Sequence, residues 1–244
     1  MRLITLLFTL FLGLPAAAGQ SDYAREKKWA DEILPAVLVG DPVWLEGPNR
    51  HKFLGLYAEA GNPKAAVIIV HGIGVHPDHG LISPLRQQLA EQGYTTLSLQ
   101  MPILQADAKN DAYPPLFDEA AQRLDQAAAF LKQKGYRKIA LVSHSLGCRM
   151  SYRYLSTRPD APIAAWVAIG NSSLDDYGKL KLPVFDLYGQ NDLPAVVENA
   201  PRRAAMLKGR AGAVQRQVPG ANHFFEGLDA NLVEAVRGYL DQAL

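Results

Sequence analysis

Leu141-Val142-Ser143-His144-Ser145-Leu146-Gly147 is the stretch on which the reading turns. It is a strand, a tight turn and a helix start. Such a turn puts Ser145 at a strained backbone position and projects its hydroxyl above a sheet. The flanking positions must be small, because bulky side chains there collide with the adjacent strands. Ser143 and Gly147 meet that demand, and the pattern is G-x-S-x-G with serine in place of the first glycine.

The chain on either side supplies a sheet for this turn. Ala65–Val70 is an unbroken apolar run, and Thr95–Met101, Ile139–Ser143, Ile163–Ile169, Val184–Tyr188 and Val214–Val218 read as further strands. Helical segments alternate with them. One is capped by Ser83-Pro84 and ends at Gly93. A long one covers Leu116–Lys134, and another runs from Leu146 to near Ser156. A helical stretch is broken at Pro201, and the last helix covers Leu228–Leu240. Short runs apolar on both faces fit a parallel sheet covered by helices, and the alternation implies a doubly wound α/β architecture. Two earlier strands, around Val43–Leu45 and Lys52–Ala60, read as an antiparallel edge pair. We assign residues 41–244 to this domain and 19–40 to a polar, partly helical arm. Trp29, Ile33 and Leu34 of the arm sit at helical spacing ahead of Pro35, and we expect it to pack on the domain.

In such sheets ligands bind at the C-terminal ends of the strands. A serine hydroxyl needs a base, and His223, in Gly220-Ala221-Asn222-His223-Phe224-Phe225, is the only histidine after Ser145. An acid must orient that base. Asp192, at the loop end of the Val184 strand, is preferred over Asp186 inside the strand, which would face a helix layer. Asp175 or Asp176 is the runner-up. A developing oxyanion needs backbone donors. These are the amide of Leu146 and that of Ile73 in His71-Gly72-Ile73-Gly74, with Gly74 as the alternative. His144 and the single cysteine, Cys148, read as buried structural residues. His71, His76 and His79 with Asp78 could suggest a metal, but the His-Gly motif accounts for His71 and a Pro/Gly-containing loop for the others, so no metal is assigned.

The chain has 25 Lys+Arg and 24 Asp+Glu, with 48% hydrophobic residues. That is enough for one well-filled domain and gives no basic patch pointing to nucleic acid. One thiol cannot form an internal disulfide. Met1-Arg2 followed by the apolar run Leu3–Leu14 and Pro15-Ala16-Ala17-Ala18 reads as a signal peptide over residues 1–18. The run is short of the about 20 residues that span a bilayer. We therefore expect a periplasmic or secreted protein with no stable membrane anchor after cleavage. Its partner would be a small-molecule or exposed acyl substrate.

His71–Gly74 (HGIG), Ser143–Gly147 (SHSLG), Tyr188–Asp192 (YGQND) and Gly220–Phe225 (GANHFF) together resemble the α/β-hydrolase superfamily from about Lys64 to Leu244. Ser143 and Cys148 depart from its usual small residues around the nucleophile. The stretches His71–Gly80 and Thr96–Pro102 are also similar to an exported bacterial branch described only as a domain of unknown function. The resemblance implies cofactor-free and metal-free hydrolysis of an ester, thioester or amide through an acyl-enzyme on Ser145. A carboxylic ester is the favoured class. Amide cleavage and acyl transfer use the same residues, and a non-catalytic binding protein would share the fold. The short polar interval Asn171–Leu182 leaves no room for a large cap. The irregular stretch Pro102–Pro114, with Asp107, Asp111 and Tyr113, is the expected substrate-contacting loop.

Overall fold

Alternate residues of the run Ala65–Val70 enter two different cores. Ala66, Ile68 and Val70 pack into one cluster and Ala65, Val67 and Ile69 into another. This is the period-two pattern of a strand covered on both faces. The computed structural model describes residues 20–63 and 65–244. The signal peptide expected over residues 1–18 lies outside them.

The strands are β1 (Asp41–Glu46), β2 (Lys52–Ala58), β3 (Ala65–Val70), β4 (Tyr94–Leu99), β5 (Ile139–His144), β6 (Ala165–Ile169), β7 (Val184–Asn191) and β8 (Val214–Asn222). They form one sheet in the order β1-β2-β4-β3-β5-β6-β7-β8. β1 pairs with β2, and β2 with β4, antiparallel; every other pairing is parallel. The helices are α1 (Tyr23–Ile33), α2 (Ile82–Glu91), α3 (Phe117–Gln133), α4 (Leu146–Thr157), α5 (Pro194–Leu207) and α6 (Asp229–Ala243). Residues of α3 and α4 join the first cluster, and those of α2 and α6 the second. Each fully buried Leu, Ile or Val in these layers contributes about 1.5–3 kcal/mol. This is the doubly wound architecture expected, and no cap domain is inserted among the described residues. The interval after β6 holds only a short turn, Tyr177–Lys179, pinned by the buried Tyr177, whose hydroxyl accepts from Asn171 Nδ2 at 2.7 Å.

Two helix boundaries differ from expectation. α2 begins at Ile82, so Ser83 and Pro84 lie inside its first turn, and no side chain caps it. There the turn that precedes the helix, in which Ile82 N–H donates to His79 O and Ser83 N–H to Gly80 O, replaces a side-chain cap. α5 runs through Pro201. The ring sits on the exposed face. Arg203 on the buried face bonds the Val196 carbonyl at 3.1 Å and pairs with Asp186 in the sheet at 2.9 Å. Tertiary anchoring of this turn offsets the roughly 3 kcal/mol that an interior proline costs.

α1 is docked by charge. Glu26, buried, receives both guanidinium nitrogens of the buried Arg123 of α3, at 3.0 and 2.9 Å, and Ser21 Oγ also donates to it. Burial pulls the Glu26 carboxyl up, but the bonds from His51, Arg123 and Ser21 prevail and leave it below its ordinary value. Removing one partner of a buried pair strands the other charge. We predict that Glu26→Ala lowers stability by about 3 kcal/mol in urea unfolding; a change below 1 kcal/mol would show that the arm is held otherwise.

Candidate active site

The turn after β5 is built as the sequence requires. Ser145 has φ 55° and ψ −122°, a left-handed conformation in a non-glycine residue. Such strain costs on the order of 1–3 kcal/mol and persists only where surroundings enforce it. The enforcing contact is Gly147: a Cβ there would lie 2.5 Å from His71 O and 2.8 Å from Val70 Cγ1. The serine at position 143 has its own explanation. Ser143 Oγ accepts from the buried Trp166 Nε1 at 3.1 Å and bonds Ser151 Oγ at 2.6 Å. Cys148 is buried and burial raises its thiol well above the usual range, so it sits as a neutral packing residue.

Three of the expected side chains meet. His223 Nε2 lies 3.0 Å from Ser145 Oγ, and His223 Nδ1 lies 2.6 Å from Asp192 Oδ1. Asp192 also accepts from the Gly189 and Leu193 backbone N–H groups at 3.1 and 2.8 Å. Burial alone would raise its carboxyl. The bonds from His223 and the two amides, with the histidine's charge, hold it below its ordinary value instead. An ionised Asp192 accepts only, so Nδ1 carries the proton and Nε2 presents its lone pair to the serine. His223 is placed by a turn in which Asn222 Oδ1 accepts from Phe224 and Glu226 N–H, while the buried Phe225 anchors the loop at φ 52°. The runner-up acids are elsewhere. Asp175 accepts from Ser173 Oγ, Asp176 caps Gly178 N–H, and Asp186 pairs with Arg203.

The candidate oxyanion donors border the same space. Ile73 lines a cavity of about 260 Å³ that also exposes Ser145 and His223. Leu146 opens α4 directly after Ser145. Neither backbone N–H donates to a protein acceptor among the described residues. His71 holds the loop of Ile73 from behind: its Nδ1–H donates to Gly72 O at 2.8 Å and its Nε2 accepts from Met101 N–H at 2.9 Å. Burial lowers its pKa to about 3, keeping it neutral. His144 Nε2–H donates to the His223 carbonyl at 3.0 Å, and burial followed by the charge of His223 lowers its pKa to about 3. His76 packs on His79 and Trp29. Among the described residues no His/Cys/Asp/Glu cluster could hold a metal ion.

The loop expected to touch substrate, Pro102–Pro114, borders the cavity through one residue. Asp107 and Asp111 face solvent, and Tyr113 is buried, its hydroxyl accepting from Leu104 N–H at 3.2 Å. Asn110 is the residue of this loop that reaches the cavity. It opens the three-residue turn 110–112 and stays exposed at the cavity's edge. Gly170 went unnoticed in the sequence. Its φ is +61°, and a Cβ there would stand 3.0 Å from the His223 ring.

Fold and turn geometry together define the α/β-hydrolase fold. Residues 27–120 and 105–242 match the family described as protein of unknown function DUF3530, and the chain belongs to that family. It is 27% identical over 208 residues, 75% of this chain and 73% of the other, to a Yersinia pestis protein provisionally named carboxymethylenebutenolidase. Among solved structures it resembles a dienelactone hydrolase of Anabaena variabilis, with TM-score 0.67, 18% identity and coverage of 83% of this chain and 99% of that one. It also resembles an α/β hydrolase of Agrobacterium tumefaciens of unknown function, with TM-score 0.66, 22% identity and coverage of 83% and 95%.

Ser143→Gly leaves the Trp166 N–H unpaired and should cost about 1–3 kcal/mol of stability; an unchanged unfolding midpoint would contradict this. His71 and His144 stay neutral in the folded chain down to pH about 3, whereas in the unfolded chain they protonate near 6.5. The unfolded state therefore binds more protons between those values, and stability falls as pH drops below 6.5. His144→Gln, whose amide can still donate to His223 O, should show a shallower decline by about one proton's slope in thermal unfolding at stepped pH. Superimposable slopes would exclude the contribution of His144.

Proposed function

We propose that the protein is a serine hydrolase that cleaves uncharged carboxylic esters or thioesters through an acyl-enzyme on Ser145. The observation that carries this reading is the chain of contacts from Asp192 through His223 to Ser145 Oγ, at 2.6 and 3.0 Å. Ser145 Oγ attacks the ester carbonyl carbon while His223 Nε2 takes the hydroxyl proton. Asp192 stabilises the imidazolium so formed and fixes its tautomer. The carbonyl oxygen, now negative, faces the N–H groups of Leu146 and Ile73, which have no other acceptor to abandon. His223 then gives its proton to the leaving oxygen or sulfur as that bond breaks. Water, deprotonated by the same nitrogen, attacks the acyl carbon and restores Ser145. The leader-like residues 1–18 support placing this work in the periplasm or outside the cell.

The cavity supports the substrate class. Its walls beside Ser145 are Ile73, Val75, Leu81, Ile82, Leu193 and Phe224, and no Lys, Arg, Asp or Glu is among its described lining residues. An apolar acyl or alkyl group fits there, whereas a carboxylate would leave water with no lysine or arginine to pair it and only imidazoles, His79 among them, and the Asn110 amide beside it. The Yersinia relative's name implies a carboxylate-bearing lactone; this lining argues against such a substrate here.

Three measurements test the reading. On p-nitrophenyl esters, Ser145→Ala should abolish turnover, and Asp192→Asn should lower kcat about 10⁴-fold by imposing the wrong tautomer. A variant at either position with parent-like kcat would refute the assignment. Each methylene added to the acyl chain should raise kcat/KM about four-fold until the cavity is full, from about 0.8 kcal/mol per buried methylene; flat dependence from the acetyl ester onward would place the acyl group elsewhere. A hemisuccinate ester should be a worse substrate than the butyrate ester by tenfold or more, and equal rates would overturn the neutral-substrate assignment.

A further inference from the structure

Arg25 of α1 spends its charge on backbone. One guanidinium nitrogen donates to Gly74 O at 2.7 Å and another to Leu104 O at 2.5 Å. Among the described residues it has no carboxylate partner, although exposed lysines on the same helix do. An arginine without an anion that bridges two carbonyls of separate loops is a clamp, because its planar fork fixes both at once. The two carbonyls belong to the loop that carries Ile73 and to the loop whose Asn110 borders the cavity. Gly74 has φ +64°, and a Cβ there would meet Tyr113 Oη at 3.5 Å and Arg25 at 3.6 Å, so both side chains pack directly behind the turn. Trp29, one turn further along α1, stacks beneath Arg25 at 5.8 Å and meets His76 of the same loop at 4.9 Å.

We propose that Arg25 is a positioning residue, through which the N-terminal helix holds the Ile73 amide in register for the oxyanion. The inference rests on the serine-hydrolase reading of the same site. Oxyanion donors act only when held rigidly where charge develops, and loss of one costs about 10²–10³ in kcat. Loosening the turn without removing the donor loses part of that factor. Arg25 is not among the residues lining the cavity, so its replacement removes no direct contact to the substrate, and the larger effect falls on kcat. The arm itself stays docked without Arg25, because Glu26 and Arg123 hold it independently.

The test compares the parent chain starting at Gly19 with Arg25→Ala, Arg25→Lys and Lys27→Ala on p-nitrophenyl butyrate. Fluorophosphonate labelling rate and thermal unfolding are followed alongside. Arg25→Ala should lower kcat ten- to hundred-fold with KM within two-fold. Its labelling should slow in parallel, since phosphonylation also builds charge on the oxygen facing Ile73. Arg25→Lys, which can reach one carbonyl only, should fall between, and Lys27→Ala should match the parent. An active parent with Arg25→Ala at parental kcat overturns the clamp and leaves the hydrolase reading standing. So does a rise in KM alone, or a loss that Arg25→Lys shares in full at parental melting temperature. Should Arg25→Ala fail to fold, the graded order of Arg25→Lys below the parent at unchanged KM decides. A folded parent that neither turns over nor labels overturns the hydrolase reading and this inference with it.

Discussion

β3 and β5 are hydrogen-bonded neighbours, and the chain leaving each of them competes for the same space. At Gly147 a single added carbon would sit 2.5 Å from His71 O. That crowding is the constraint on which the site depends. It forces the tight turn at Ser145 into positive φ, and it brings the His71–Gly74 loop against the serine, where a Cβ on Gly72 would lie 3.3 Å from Ser145 Cβ. A serine hydroxyl and a backbone amide on one wall follow from two strand ends meeting too closely for side chains. The strain is held by sheet pairing on both sides of β5 and by the buried layers of α3, α4, α2 and α6.

Carboxylates in this molecule divide between structural and site roles according to where a strand releases them. Asp186 lies within β7, faces the α5 layer and is satisfied by Arg203, Tyr177 and Gln215. Asp192 lies beyond the register shift between β7 and β8 at Gly189/Asn191. The irregularity turns the chain outward and points the carboxylate at His223. Glu26 and Arg123 form another buried charge pair, and they hold helix α1 against the β2–β4 side of the sheet.

Most of the sheet was legible in the sequence, because runs such as Ala65–Val70 are apolar at every position and only a doubly covered strand needs that. The meeting of Ser145, His223 and Asp192 was legible from residue order and strand ends. What escaped was set by tertiary contact. The sequence around Ser83-Pro84 carries a capping pattern that the turn at Gly80 displaces. Pro201 reads as a breaker, yet the Arg203–Asp186 pair holds the helix across it. Asp107, Asp111 and Tyr113 look like binding residues by type. Tyr113 is instead buried under the loop, and it is the exposed Asn110 that borders the cavity. Nothing local marks Gly170 or Arg25, since their significance lies in what approaches them from distant parts of the chain.

A nucleophilic Ser145 must be acylated during turnover. The most direct measurement is acid-quenched mass spectrometry of the chain reacting with p-nitrophenyl butyrate, with the adduct mapped by peptide. A butyryl group is expected on the peptide containing Ser145 during the first turnover, absent from Ser145→Ala. Ester hydrolysis with no adduct at Ser145, or with the acyl group on another residue, would contradict it.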